Sequence, residues 1–372
     1  MNGTRQNPCP SPLFLDAEAG GRYTHNNSSA RLIALSALSV GWIFMQDARE
    51  LAMPTRQLKH AATVGEQIAT LRARGMQIND AFATQWLNSV SYYRLSAYWY
   101  PARQTDPDGT RLDYFRPKTR FEDVALLYEA DRKLRTLIHD GVERIEVALR
   151  TQLINVVCLP GDRDALSYTN PESFRPTFKH ADWLATINRR IARAERRNRA
   201  IQHYRSHYES QFPLWVAAET MDFSDASRLF QGLKSADQFT VSEALGIKID
   251  LSRLIKNQSR QAKKKHPLTS WFEQLSVIRN TCAHHGRLWN KSFVPAPTPA
   301  LISTGHFTYL PSGQSGQVFG ALAVMAHLLR HISPGTTWPN KVVDLLNNAF
   351  ITNPLVNPES LGIPNDWDME SI

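Results

Sequence analysis

The tightest constraint on the fold is one long helical stretch, residues 121–157. Apolar residues fall at Val124, Leu127, Leu134, Leu137, Ile138, Val142, Ile145, Leu149 and Leu153, with charged residues between them. Steps of three and four place these side chains on one stripe of an α-helix. Gly141 in the middle marks close packing or a small bend. Val64, Ile68 and Leu71 recur at the same spacing, and Gly75 follows where a C-cap glycine would sit. Residues 78–99 continue the pattern as a wide apolar stripe of Phe82, Trp86, Leu87, Val90 and Tyr93. Residues 101–118 are rich in Pro, Gly and Asp, and the run Asp106 to Gly109 predicts a loop or hairpin.

Beyond the long helix, residues 159–176 read as a loop and 182–208 as a strongly basic helical segment. An apolar helix over 214–221, a short one near 224–233 and another from Thr240 follow. Residues 268–285 form the next clear helix, with Gly286 as its candidate C-cap. Prolines at 295–299 break the chain, 317–332 is a final apolar helix, and the rest is Pro- and Asn-rich. No sustained alternation and no internal repeat occur, so the expected fold is all-α. The chain then divides into an extension (1–52), an N-terminal helical region (53–120), a helical core (121–292) with a basic insertion near 182–208, and a C-terminal helix and tail (293–372).

Residues 1–52 differ in composition from the rest. An apolar run of 14 residues at 32–45 follows Arg22 and Arg31. It is too short to span a bilayer comfortably, and no small-residue cleavage site of a signal peptide follows it. Met53 opens a segment that reads like a natural start. Residues 1–52 are therefore expected to be an over-extended reading frame or an extension with little role in the fold. The three cysteines, Cys9, Cys158 and Cys282, form no CxxC pair. Their odd count does not suggest a disulfide framework and fits a reducing cytoplasm. The 12 histidines include no HExxH and no Cys/His ladder, so neither metal nor cofactor is expected. The chain carries 43 Lys+Arg against 34 Asp+Glu, a net charge of +9. That balance favours a polyanionic partner such as nucleic acid, or is a generic basic surface.

The informative stretch is 278–290, with Arg279 five and Asn280 four residues ahead of His284 near a helix end. Metal-free RNA cleavage uses the ribose 2′-OH as nucleophile against the adjacent phosphate. The site must take up that proton, protonate the leaving 5′-oxygen and stabilise the phosphorane. Histidine suits the proton work because its pKa lies near neutrality. The planar fork of arginine suits the phosphate. On a helix Asn280 and His284 share a face, whereas Arg279 and His284 lie roughly 140° apart. One helix offers one Arg and one His, and a twofold pair would offer two of each around one groove. By spacing alone, an Arg and a His at a helix C-terminus equally suit the helix dipole.

Several segments in order resemble the Abi-like (abortive infection) protein family. They are Gln67-Ile68 with Leu71 and Arg74-Gly75-Met76, then Val90 through Trp99, similar to an aromatic YYRLSAY signature. Phe121-Glu122-Asp123, Leu127 to Arg135 and Glu143 to Arg150 resemble the family's long LYxFDrxLR…ERIExxLR helix. Pro213-Leu214-Trp215-Val216 with Glu219 and Phe223 is similar to its PxWxxxExxxFG segment, and Arg279 to Asn290 to its RNxCAHHxRLWN. The likeness runs over about residues 60–292. Ala130 stands where an aromatic is usual, and Ser224 where a glycine is usual. The resemblance implies a HEPN-like helical bundle with additional helices and phage defence by abortive infection. It also implies RNA cleavage at Arg279, Asn280 and His284, and kinship with the RNase modules of type VI CRISPR effectors. Partners on this reading are RNA as substrate, a structured non-coding RNA as a bound partner, and a second copy of the chain, with no membrane. The other readings are a non-catalytic RNA-binding protein of a defence or toxin–antitoxin system, and an interaction protein with no use for RNA.

Further RNA-binding candidates are His285, Arg287, the cluster Lys263, Lys264 and Lys265, and the basic helix with Arg189, Arg190, Arg193, Arg196 and Arg197. Each could add a salt-sensitive phosphate contact or be a solvated charge. Arg94 among Tyr92, Tyr93, Tyr98 and Trp99 could stack unpaired bases, but such a stripe is more often core, and Arg94 is expected there with its charge paired internally. Glu146 and Arg150 read as a structural i,i+4 pair, with a place lining the active groove as the lesser reading.

Overall fold

The computed structural model describes residues 60–159, 161–365, 367 and 372, so the expectations for residues 1–52 lie outside the described residues. Residues from Ala62 to Ile372 form one compact unit. It opens with α1 (Val64–Ala73), α2 (Asp80–Ser89) and α3 (Tyr92–Trp99). A hairpin of β1 (Arg103–Thr105) and β2 (Arg111–Phe115) leads into α4 (Phe121–Cys158). Next come α5 (His180–Ala194), α6 (Arg199–His207), α7 (Leu214–Ala218), α8 (Phe223–Gly232), α9 (Ser235–Ala244) and α10 (Lys256–Lys264). The chain continues through α11 (Leu268–Ala283), β3 (Ala296–Pro297), α12 (Pro299–Ile302) and β4 (Gln314–Ser315). It ends in α13 (Val318–Ile332) and α14 (Trp338–Leu345), prolonged by a π-helical turn, Leu346–Ile351. The fold is all-α, and among the described residues the strands are confined to two two-stranded ribbons. No helix of the described residues is long and apolar enough to cross a membrane.

The 38-residue α4 is the axis of the unit. It packs against α3 and α11, against α7, α8 and α9, and against α13 and α14. Eight of the nine apolar positions of its sequence stripe are buried, and Leu137 is partly buried against the core. Burial reaches further round the helix than the stripe, taking in Phe121, Ala125, Ala130 and Val157. Where α13 and α14 cross it, Gly141 makes room. A Cβ there would lie 2.7 Å from Met325 Cε and 3.0 Å from the Trp338 ring. That ring is fixed by its Nε1, which donates to the Leu137 carbonyl at 2.6 Å.

The structure differs from the sequence reading at helix ends. The stripe over 78–99 is two helices. Val90 is extended, and the Ser91 hydroxyl accepts from the Arg94 amide at 3.3 Å as a new N-cap. The basic segment 182–208 is likewise two helices, because Asn198 Oδ1 caps α6 through the Ile201 amide at 3.2 Å. The helix from Leu214 stops at Ala218, and Asp222 with Asp225 forms a capping box that starts α8. The Pro- and Asn-rich end holds α14, and Asn353 Nδ2 ties it to α4 through the Asp123 carbonyl at 2.8 Å.

His266, fully buried before α11, sits edge-on to Phe230 and Phe239 and accepts from the Leu268 amide at 3.2 Å. Burial, with the nearby Arg175 charge adding to it, pushes its pKa down to about 3. A depressed histidine binds fewer protons folded than unfolded, so its contribution is complete above the unfolded value and is lost as pH falls below it. Two outcomes are expected. Gly141→Leu should lower the urea-unfolding free energy by about 1–3 kcal/mol through overpacking against Trp338. Stability of the wild type should fall between pH 6.5 and 5, with about 2 kcal/mol of the loss at pH 5 traceable to His266. Urea titrations across that range should show a shallower fall for His266→Gln.

Candidate catalytic site at the end of helix α11

α11 ends in a doubly hydrogen-bonded turn. His284 caps the helix, the His285 amide donates to the Cys282 carbonyl at 2.9 Å, and the Gly286 amide to the Thr281 carbonyl at 2.8 Å. This pattern needs one left-handed residue, usually glycine. The sequence reading puts Gly286 there, but the left-handed residue is His285, at φ 56°. Gly286 answers a different need, since a Cβ on it would meet Thr281 Cγ2 at 2.8 Å and the Thr281 carbonyl at 3.1 Å. A left-handed non-glycine residue costs roughly 1 kcal/mol and persists where its surroundings enforce it.

The enforcement comes from α3 and α4. Asp131 of α4, wholly buried, accepts from the Trp289 amide at 2.9 Å, the Leu288 amide at 3.1 Å and the Tyr98 hydroxyl at 2.7 Å. Arg135, one turn along, pairs with the same carboxylate and reaches the Gly286 carbonyl at 3.4 Å. Arg94 Nη1 donates to the His285 carbonyl at 2.6 Å. Arg287 reaches back to the Ala97 carbonyl and donates to the Asn290 carbonyl at 3.2 Å. Complete burial pushes the Asp131 carboxyl up from the usual carboxylate range, and Arg135, Tyr98 and the two amides oppose that rise. Burial, with the Asp131 charge next to it, pushes the Tyr98 hydroxyl well above its ordinary value.

On this fastened turn Asn280, His284 and His285 are exposed and Arg279 is half-buried. Arg279 Nη1 donates to Asn280 Oδ1 at 3.3 Å. Its charge also reaches Glu146 of α4. Burial raises the Glu146 carboxyl, Arg150 and Arg279 draw it down, and the like charge of Asp222 adds to the rise. Glu146 pairs with Arg150, which also donates to the Met221 carbonyl, so the structural pair is present and stands beside Arg279. The His284 and His285 rings have no hydrogen-bond partner among the described residues and face solvent. Lys291, half-buried, donates to Thr281 Oγ1 at 3.4 Å and is held below the ordinary lysine range by burial and by Arg287.

The other sequence candidates scatter. Lys263, Lys264 and Lys265 are exposed at the far end of α11, which is about 24 Å long for its 16 residues. Lys265 lies 4.0 Å from Glu273. On α5 Arg190 is held by Asp222 and Asp225, and Arg189 donates to Thr186 Oγ1 at 3.1 Å. Arg193, Arg196 and Arg197 are exposed. Arg287 holds the turn rather than facing solvent. Arg94 is exposed instead of buried, and Tyr93 is 87% exposed while Tyr98 and Trp99 are core. Sequence reasoning missed Asp131 and Arg135 as site-builders. The signal was present, because Asp131 falls on the apolar stripe between Leu127 and Leu134, where an acid is buried only if paired.

Asp131→Ala should leave Arg135, Tyr98 and the two amides without their acceptor. Unfolding free energy should drop by about 3–5 kcal/mol. Amide exchange at Leu288 and Trp289 should speed up more than elsewhere in the core. Unchanged exchange at these two amides would show that the turn does not depend on Asp131.

Residues 85–290 match the model of the Abi-like protein family. That stretch holds Tyr98, the whole of α4 and the Arg279–Asn290 segment. No curated protein and no solved structure matches the chain. The family match covers more than half of the 372 residues, and the chain belongs to the Abi-like protein family.

Proposed function

We propose that this protein is a metal-independent endoribonuclease of the HEPN kind, acting in phage defence by abortive infection. Family membership points to the abortive-infection setting. The observation that carries the chemistry is the pairing of a fastened turn with free functional groups. Asp131, Arg135 and Arg94 hold residues 285–289 in place, while exposed His284 caps the helix one turn after Asn280 and five residues after Arg279. A rigid base under exposed polar groups is what positional catalysis requires.

In this reading the ribose 2′-oxygen attacks the adjacent phosphorus and the P–O5′ bond breaks. The 2′-OH proton passes to a base, and the departing 5′-oxygen takes a proton from an acid. His284 fills one of these roles. Arg279 stabilises charge on the phosphorane oxygens, and Asn280, hydrogen-bonded to Arg279, orients it. The products are a 2′,3′-cyclic phosphate and a 5′-OH. The reaction needs two proton-handling groups, and a twofold pair of chains would bring two His284 rings to one groove. Arg193, Arg196 and Arg197, exposed on one basic segment, also favour a second reading, an RNA-binding protein that holds a structured RNA without cutting it.

Labelled single-stranded RNA, incubated in EDTA with wild type and with Arg279→Ala/His284→Ala, separates the readings. The nuclease reading expects cyclic-phosphate ends from wild type and a rate at least about 100-fold lower for the double variant. Equal cleavage by both proteins, or a strict need for added metal, would overturn it. RNA retained by both proteins with no cleavage by either would support the binding reading.

A further inference from the structure

A large cleft lies away from the exposed histidines, at the opposite end of α11. It has a volume of about 1040 Å³ and is walled by the segment before α5, by α8, by α10 and by the proline-bounded turns around α12. Arg175, Lys179, Arg228, Lys264 and Lys265 line it, and no carboxylate does. These cations differ in availability. Arg175 is built into the wall, donating to the Leu233 and Lys264 carbonyls and to Gln238. Lys265 shares its charge with Glu273. Lys179, Arg228 and Lys264 are exposed, and their side chains make no hydrogen bond or ion pair among the described residues.

The rest of the lining is of two kinds. Phe178, Ile255, Pro267 and Pro299 provide flat or apolar surface, and Ile255 is 66% exposed. Asn257, Gln258, Gln261 and Gln231 provide amides that both donate and accept. A ligand matching this wall carries several negative charges, a flat apolar part and polar edges. Ligand clefts run to about 1,000 Å³, so a lone phosphate would leave most of this one to water. We propose that the cleft binds a nucleoside polyphosphate. Its phosphates would lie against Lys179, Arg228 and Lys264, and its base between the apolar wall and the amides.

The site is independent of the nuclease reading, because none of the three free cations lies at the Arg279–His284 end of α11. The test uses the full chain, fluorescently labelled ATP as the probe, and unlabelled ATP, GTP, tripolyphosphate and a 20-nucleotide single-stranded RNA as competitors. Lys179→Glu and Arg228→Glu are surface changes, checked for an unchanged melting temperature. Saturable binding is expected, with ATP or GTP competing better than tripolyphosphate. Each charge reversal should weaken it about tenfold. No saturable binding at millimolar nucleotide would overturn the proposal, as would binding indifferent to both reversals. Competition by tripolyphosphate as strong as by nucleotide would reduce the cleft to an anion site and overturn the nucleotide assignment. Competition by RNA alone, lost in the same variants, would reassign the cleft to RNA and overturn it too.

Discussion

The buried carboxylate of Asp131 is the interaction on which the candidate site depends. Removing such a group from water is costly unless its lone pairs and charge are matched. Here donors from three places match them: Tyr98 of α3, Arg135 one turn along α4, and the amides of Leu288 and Trp289. An acceptor shared this way fixes more than one distance. It sets α3 against α4, and it sets the chain after α11 against both. The left-handed His285 and the close approach at Gly286 follow from that placement, because the turn must reach Asp131 within a few residues of the helix end. Arg94 and Arg287 close the same turn from α3 outward.

α4 makes this possible by being packed on several sides. Near its start it carries Asp131 and Arg135 towards α3 and the turn. In its middle Gly141 lets α13 and α14 come close, and further on Glu146 and Arg150 face the Met221 carbonyl and Arg279. Successive turns of one helix thus meet different partners. A charged residue on such a helix is buried only where a partner waits, and Asp131, Arg135, Glu146 and Arg150 each have one.

These facts mark the limit of what the chain alone discloses. The long helix was legible because its period is carried by nine apolar side chains, and the all-α fold with it. The break at Val90 and Ser91 was not, because apolar residues continue across it and one serine hydroxyl decides the boundary. Arg279, Asn280 and His284 were legible as a motif, since their chemistry is local. The fastening beneath them joins residues more than 150 positions apart, and no spacing rule reaches that far. The basic helix shows the same limit from the other side. Arg190 looks like its neighbours in sequence, but Asp222 and Asp225, over thirty residues on, neutralise it. Glycine habit misled at 286, because the residue that needed the unusual φ was His285 and the residue that needed to be small was its neighbour.

The two ends of α11 bear on whether the molecule has one functional region or two. The helix is buried over most of its length, from Leu268 and Trp271 through Leu275 to Ile278 and Cys282. Gln274 adds a lock, donating to the Val294 and Ser315 carbonyls at 2.8 Å each. The solvent-facing side of the helix before His284 is a narrow stripe through Glu273, Val277 and Asn280, and Glu273 at the basic end is an acid that repels an anionic ligand. A close-packed helix of this kind transmits a change only by moving as a body against α4 and α8. The Asp131 network opposes that motion just beyond the C-terminal end of the helix, and the Gln274 lock opposes it near the middle. The basic cleft and the exposed histidines are thus two separate chemical environments on one rigid rod. A ligand that coupled them would have to outbid those buried hydrogen bonds, which makes the turn after α11 the place where coupling would first be seen.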